Sequence, residues 1–178
     1  MDKHVALTSV SEQANQIPAD LLLRIDEAVT HYPVSKRSAS LPLLHLWQNQ
    51  FGFIDDSGVN WIAKRLELEP INILELVTFY PWFRQQAAGK VCIRVCRTLS
   101  CALAGSFEVR DAFCKAVGID PKAESHGHTP PVSPDGKFSV EFVECLASCG
   151  SAPVALINDD LAEDITPEGT AAILSQYN

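Results

Sequence analysis

The first half of the chain has no cysteine; all six lie between Cys92 and Cys149. No apolar run approaches the roughly 18–20 residues of a membrane-spanning helix. The opening MDKHVALTSVSEQ also lacks the basic-then-apolar layout of a secretory signal. These absences point to a cytoplasmic chain without direct membrane insertion. Basic charge is scarce too: fourteen Lys and Arg face twenty-two Asp and Glu, a formal net charge of −8, with no concentrated basic patch. That balance argues against nucleic acid as a partner. There is no G-x-G-x-x-G or other phosphate-cradling loop with which to hold a dinucleotide or flavin. There is also no C-x-x-C pair, the usual mark of a redox dithiol.

What is present suffices for a real core. The 178 residues are 47% hydrophobic and 20% charged, within the range of soluble globular proteins and enough for one large domain or two small ones. Residues 1–17 are polar and aperiodic, and read as a flexible leader. From residue 18 the apolar positions recur at helical spacing. Leu21, Leu22, Ile25, Ala28, Val29 and Tyr32 form one stripe, which Pro33 ends. Pro42 opens a second helix that runs through Leu43, Leu44, Leu46, Trp47 and Phe51 to Gly52. Asp56 or Ser57 caps a third with the stripe Val59, Ile62, Ala63 and Leu66. Pro70 opens a fourth through Ile71, Leu74 and Val77 into the aromatic stretch VTFYPWF.

The polar linker QQAAG then marks a boundary near residue 87. KVCIRVC alternates with period two and predicts a strand ending at Cys96, with Val91, Ile93 and Val95 on one face and Cys92 and Arg94 on the other. A helix follows from about Gly105 to Gly118. Residues 120–136, rich in proline, predict a long loop. Phe138, Val140 and Phe142 alternate in a second strand aimed at Cys145, and Val154 to Ile157 predicts a third. Thr166-Pro167-Glu168 has the layout of a helix start. The fold class is therefore α+β: a helical bundle over residues 18–86, then a small mixed sheet with helices over residues 87–178.

Spacing sorts the cysteines. Cys96 and Cys101 fall in a C-x4-C turn between strand and helix, and Cys145 and Cys149 in a C-x3-C turn after another strand. Two thiolate pairs on one domain suggest a four-sulfur metal site. The spacing favours a [2Fe–2S] cluster and leaves structural zinc, hence a zinc-stabilised interaction module, as the alternative. Cys92, on a strand, and Cys114, mid-helix, read as buried small hydrophobes.

The ordered series CRTLSC, GSFEVRDAFCKAVGI, PDGKFSVEFVECLASCGSAPVALIND and ITPE, preceded by VTFYPWF, resembles the thioredoxin-like [2Fe–2S] ferredoxin family over about residues 20–178. That family includes the small peripheral-arm subunits of NADH:quinone oxidoreductases (respiratory complex I), NAD-reducing hydrogenases and NAD-dependent formate dehydrogenases. The resemblance implies that Cys96, Cys101, Cys145 and Cys149 ligate one [2Fe–2S] cluster. It further implies that residues 18–86 are a docking module, and that FMN and NADH sit only on a flavoprotein partner of the same complex. This chain would then be an electron-transfer subunit with no complete active site of its own, peripheral on the cytoplasmic side of the membrane. Ala152-Pro153 also matches the thioredoxin-like pattern in which a cis-proline approaches the active loop. Two departures stand out: HGHTPPVSPDG is longer than the usual connection, and Leu161-Ala162 stand where many relatives carry aromatic residues.

Arg97, inside the first thiol loop, and Arg94 just before it would favour reduction of a negatively charged cluster, as would early amides of the helix after Cys101. Ordinary solvated surface charge is the plain alternative for both arginines. Residues 60–76 superficially resemble a helix-turn-helix, but residues 1–86 carry seven basic and ten acidic side chains, a field that opposes DNA. Phe79, Tyr80, Trp82 and Phe83 read as buried core or as a packing junction. His126-Gly127-His128 and the Asp159-Asp160, Glu163-Asp164 acids read as surface.

Overall fold

The computed structural model describes residues 17–123 and 129–177. The predicted leader and His126-Gly127-His128 thus fall outside the described residues, Ile17 excepted. The chain divides into two compact units, Met1–Gln86 and Ala87–Asn178.

The first unit is helical: α1 (Ala19–Thr30), α2 (Ser40–Phe51), α3 (Asp56–Leu66) and α4 (Pro70–Phe79), with a 3-10 turn at Lys36–Ala39. α1 stops before Pro33 as expected, and Gly52 closes α2 in the left-handed conformation (φ 83°) that glycine adopts without cost. Leu21, Ile25, Leu43, Leu44, Trp47, Ile62, Leu66, Ile73, Val77 and Phe83 are fully buried together. Each such side chain contributes about 1.5–3 kcal/mol. Gln48 ties α2 to the segment after α4. Its amide nitrogen donates to the Trp82 carbonyl at 3.0 Å, and its oxygen accepts from the Arg84 backbone N–H at 2.8 Å.

Three sequence expectations for this unit shift. The cap of α3 is Asp55 rather than Asp56 or Ser57: Asp55 has extended backbone, and its carboxylate accepts from the Gly58 N–H at 2.9 Å. In α4 the buried pair is Ile73 and Val77, one turn apart, and Ile71 stands 62% exposed because two residues along a helix reach the opposite face. Phe83 is core, but Phe79 is 74% exposed, so the aromatic stretch is not uniformly buried.

The second unit carries a four-stranded mixed sheet in the order β2-β1-β3-β4. β1 is Val91–Cys96, β2 Phe138–Val143, β3 Ala155–Ile157 and β4 Asp160–Ala162. β1 pairs parallel with β2, Cys96 opposite Val143, and antiparallel with β3. Flanked on both edges, β1 is buried at all six residues. The crossover from β1 to β2 contains α5 (Leu99–Leu103) and α6 (Ser106–Ala116), and α7 (Thr170–Leu174) packs against α6. Gly89 leads into β1 so close to β2 that an added Cβ would meet the Phe138 carbonyl carbon at 2.3 Å. Only glycine permits that approach. Thr166 caps the C-terminal helical segment, accepting from the Gly169 N–H, and the Ala152–Pro153 peptide bond is cis.

Candidate metal centre

The topology brings both thiol loops to one end of the sheet. β1 and β2 are parallel, so Cys96, the last residue of β1, and the loop after Val143 emerge side by side. β3 is antiparallel to β1, so Val154 enters from the same end. The Cys96 N–H donates to the Val154 carbonyl at 3.1 Å, and the Arg97 N–H to the Val143 carbonyl at 3.0 Å. Cys96, Cys101 and Val154 form a small buried cluster of their own, with Leu146 and Ala152 packed against it.

Cys101 precedes α6 as expected but itself lies within α5, a short helix the sequence does not announce, and both Cys96 and Cys101 are only 1% exposed. Thr98 precedes α5. Its hydroxyl makes no cap bond and instead lies 3.1 Å from Cys96 Sγ. Burial pushes the Cys96 thiol up, but the Thr98 hydroxyl, the backbone amides of Thr98 and Leu146 and the Cys101 thiol outweigh it. Cys96 is thereby held below the ordinary thiol range. Cys101 moves the opposite way. Burial raises it, as do the neighbouring Cys96 and Cys149, against one backbone hydrogen bond from Val154. Of the two, Cys96 is the easier to deprotonate and Cys101 the harder.

The second loop is built differently. Cys145 and Cys149 are exposed. Ala147 adopts a left-handed backbone (φ 61°), rare without glycine, and its N–H donates to Cys145 Sγ at 3.3 Å. Cys149 begins a 3-10 turn, Cys149–Ser151, and lies within electrostatic reach of Cys101. The other two cysteines stand apart. Cys92 is buried near the start of β1, its thiol directed to the Gly89 carbonyl at 3.2 Å. Cys114 is fully buried in α6, and that burial raises its thiol.

The donor set fits a [2Fe–2S] cluster. Four sulfurs on two loops at one sheet end could supply soft thiolate ligands, and backbone N–H groups of Thr98, Leu146, Val154 and Ala147 point at three of them. Such donors offset the negative charge that a thiolate cluster carries. Among the described residues, no three His, Cys, Asp or Glu side chains converge to hold a single ion.

The nearby charges are paired. Arg97 makes two hydrogen bonds to Glu144, the shorter 2.6 Å, and so links the first loop to the residue preceding Cys145. Arg94 is not surface charge: it is buried and faces Glu141, its register partner on β2, at 3.3 Å. The sulfur-directed amides come from Thr98 at the start of α5, from the loop after β2 and from the residue before β3, not from the start of α6. Thr98, Leu146 and Val154 escaped the sequence reading, although the hydroxyl in CRTLSC was a visible signal.

A thioredoxin-like mixed sheet whose two parallel strands each lead into a thiol loop at the same end defines the class: a thioredoxin-like protein with a cysteine-lined centre. The pattern of the thioredoxin-like [2Fe-2S] ferredoxin family matches residues 25–178, and the chain belongs to that family. It is 39% identical over 158 residues to the E subunit of the Rickettsia bellii NADH-quinone oxidoreductase, covering 88% of this chain and 90% of the relative. The E subunit of the Aquifex aeolicus enzyme is 35% identical over 163 residues, 91% of this chain and 96% of that one. Subunit 2 of the Thermus thermophilus NADH-quinone oxidoreductase is 35% identical over 85% of this chain and 80% of the relative. Among solved structures, an NAD+-reducing [NiFe]-hydrogenase in the air-oxidized state superposes with a TM-score of 0.60 at 20% identity. That match covers 76% of this chain but only 22% of the hydrogenase chain, and the likeness is one of fold.

Proposed function

We propose that Cys96, Cys101, Cys145 and Cys149 ligate one [2Fe–2S] cluster, and that the chain is the electron-transfer subunit of an NADH-quinone oxidoreductase, next to a flavoprotein that binds FMN and NADH. The observation that carries this reading is the meeting of two thiol loops at one sheet end, with amides donating to sulfur, in a chain 35–39% identical over most of its length to such subunits. The bound cluster would supply a one-electron acceptor and donor.

The chain's own residues hold the site and shape its surroundings. Thr98 and the turn amides stabilise anionic sulfur, and Val154 and Leu146 shield the inner pair. Leu99 and Leu103, on the same short helix as Cys101, are 74% and 81% exposed, an apolar surface of the kind a protein partner covers. Residues 18–86 would serve as the docking module and residues 87–178 as the ferredoxin domain. Among the described residues no helix is long and apolar enough to cross a membrane. By likeness to the E subunits of NADH-quinone oxidoreductases, the chain would sit on the peripheral, cytoplasmic side of a complex and have no complete active site alone.

The test is anaerobic reconstitution with iron and sulfide, followed by analysis of both and EPR after dithionite reduction. Equal iron and acid-labile sulfide with a reduced-state signal support the reading. Zinc uptake without sulfide or signal would refute it in favour of a zinc module. Co-purification of a flavin-containing partner tests the second half.

A further inference from the structure

Glu163 follows β4 in the segment that returns to the thiol end of the sheet. There the Asp164 N–H donates to the Ser151 carbonyl at 2.8 Å, and the Ile165 N–H to the Pro153 carbonyl at 3.1 Å. One oxygen of the Glu163 carboxylate accepts from two hydroxyls, those of Ser148 and Ser151, the latter at 2.5 Å. The two hydroxyls lie 2.9 Å apart. Ser148 stands between Cys145 and Cys149, and Ser151 ends the turn that Cys149 begins. The two donors hold the carboxyl of Glu163 below the usual carboxylate range.

This loop needs an external anchor. Both its thiols are exposed, its turn is closed by a long Ser151 N–H to Ser148 carbonyl bond of 3.3 Å, and Ala147 sits at φ 61°. A side chain with a Cβ is disfavoured in that conformation. Left alone, the loop would relax. A carboxylate gripping hydroxyls on both sides of Cys149 opposes that relaxation.

We propose that Glu163 is a positioning residue for the second thiol loop: by accepting from Ser148 and Ser151 it fixes the turn that carries Cys149, and its charge beside that loop makes acceptance of an electron there harder. The inference rests on the ligand assignment proposed above. Its test uses the full chain, reconstituted with iron and sulfide, as wild type, Glu163→Ala, Glu163→Gln and Ser148→Ala/Ser151→Ala, alone and combined.

Loss of iron to the chelator bipyridyl is expected to be about tenfold faster in Glu163→Ala, as befits loss of hydrogen bonds to an ionised acceptor on an exposed loop. Glu163→Gln, which still accepts, should stay close to wild type. Adding Glu163→Ala to the double serine variant should bring little further loss, because the same contacts are already gone. The midpoint potential of Glu163→Gln should move positive even though its loop is held, a shift that a purely structural role would not produce. Wild-type chelation rates in Glu163→Ala, fully additive losses, or an unmoved potential in Glu163→Gln would overturn the proposal while the ligand reading stands. A wild-type chain that takes up no cluster would overturn both.

Discussion

The two thiol loops occupy the same end of one sheet but are held in place by different means. The first grows out of β1, the central strand, and its two thiols are buried against Val154 under a short helix. The second follows β2, a strand whose last three residues are only partly buried, and its thiols face outward. Scaffold packing fixes one pair; hydrogen bonds within and onto the loop fix the other. A redox site assembled this way has a rigid inner wall and an outer wall close to solvent, where a partner or a small change in charge can act on it.

The largest expected contrast between them is chemical. In the cluster-free protein, brief iodoacetamide treatment should alkylate Cys145 and Cys149 first and leave Cys92, Cys96, Cys101 and Cys114 largely unmodified, because buried thiols are out of reach. Peptide mass mapping reads this directly, and equal labelling of both loops would erase the contrast. Next comes the scaffold behind the first loop. Gly89→Ala places a Cβ 2.3 Å from the Phe138 carbonyl carbon, where backbone must shift, at about 1–3 kcal/mol of stability by denaturant melting. The same variant should bring Cys96 and Cys101 into the alkylated set at lower denaturant.

A smaller effect comes from the hydroxyl 3.1 Å from Cys96 Sγ. Thr98→Val should weaken cluster retention by about 0.5–1.5 kcal/mol. It should also move the midpoint potential negative, since a donor to a ligating sulfur favours the more negative reduced state. The smallest is Arg97→Glu. The exchange leaves two facing carboxylates where a neutral Arg97–Glu144 pair stood, so the potential should move negative, by less than the change in charge alone would give because both side chains are more than half exposed and screened by solvent. The stability loss should stay within about 0–1 kcal/mol, as for other exposed pairs. A redox titration that shows no shift would remove Arg97 from the residues that tune the centre.

Much of this was legible in the sequence where a residue's chemistry allows few alternatives. Pro33, Gly52 and Pro70 bounded helices where their backbone limits require, and the alternation of KVCIRVC located the central strand. The Thr166-Pro167 start also stands as expected, while the cis Ala152–Pro153 bond agrees with what the resemblance, not the local sequence, suggests. What escaped depends on tertiary neighbours. Helical phase from Pro70 alone could not decide between Ile71 and Ile73, because that choice is made by the helices packed on α4. Arg94 reads from sequence as a charge that favours reduction or as solvated surface, and neither reading anticipates the register that sets it opposite Glu141 inside the sheet. Thr98 near sulfur and Glu163 gripping a loop twelve or more residues away along the chain have no local signature.

The most direct test of the central claim is EPR of the dithionite-reduced, reconstituted chain, with acid-labile sulfide measured on the same samples, across the six single Cys→Ser variants. Loss of signal and sulfide in the variants of Cys96, Cys101, Cys145 and Cys149, with both retained in Cys92→Ser and Cys114→Ser, is the predicted result. A signal that survives loss of any of those four, or that vanishes with Cys92 or Cys114 in a folded chain, would contradict the ligand set and the account built on it.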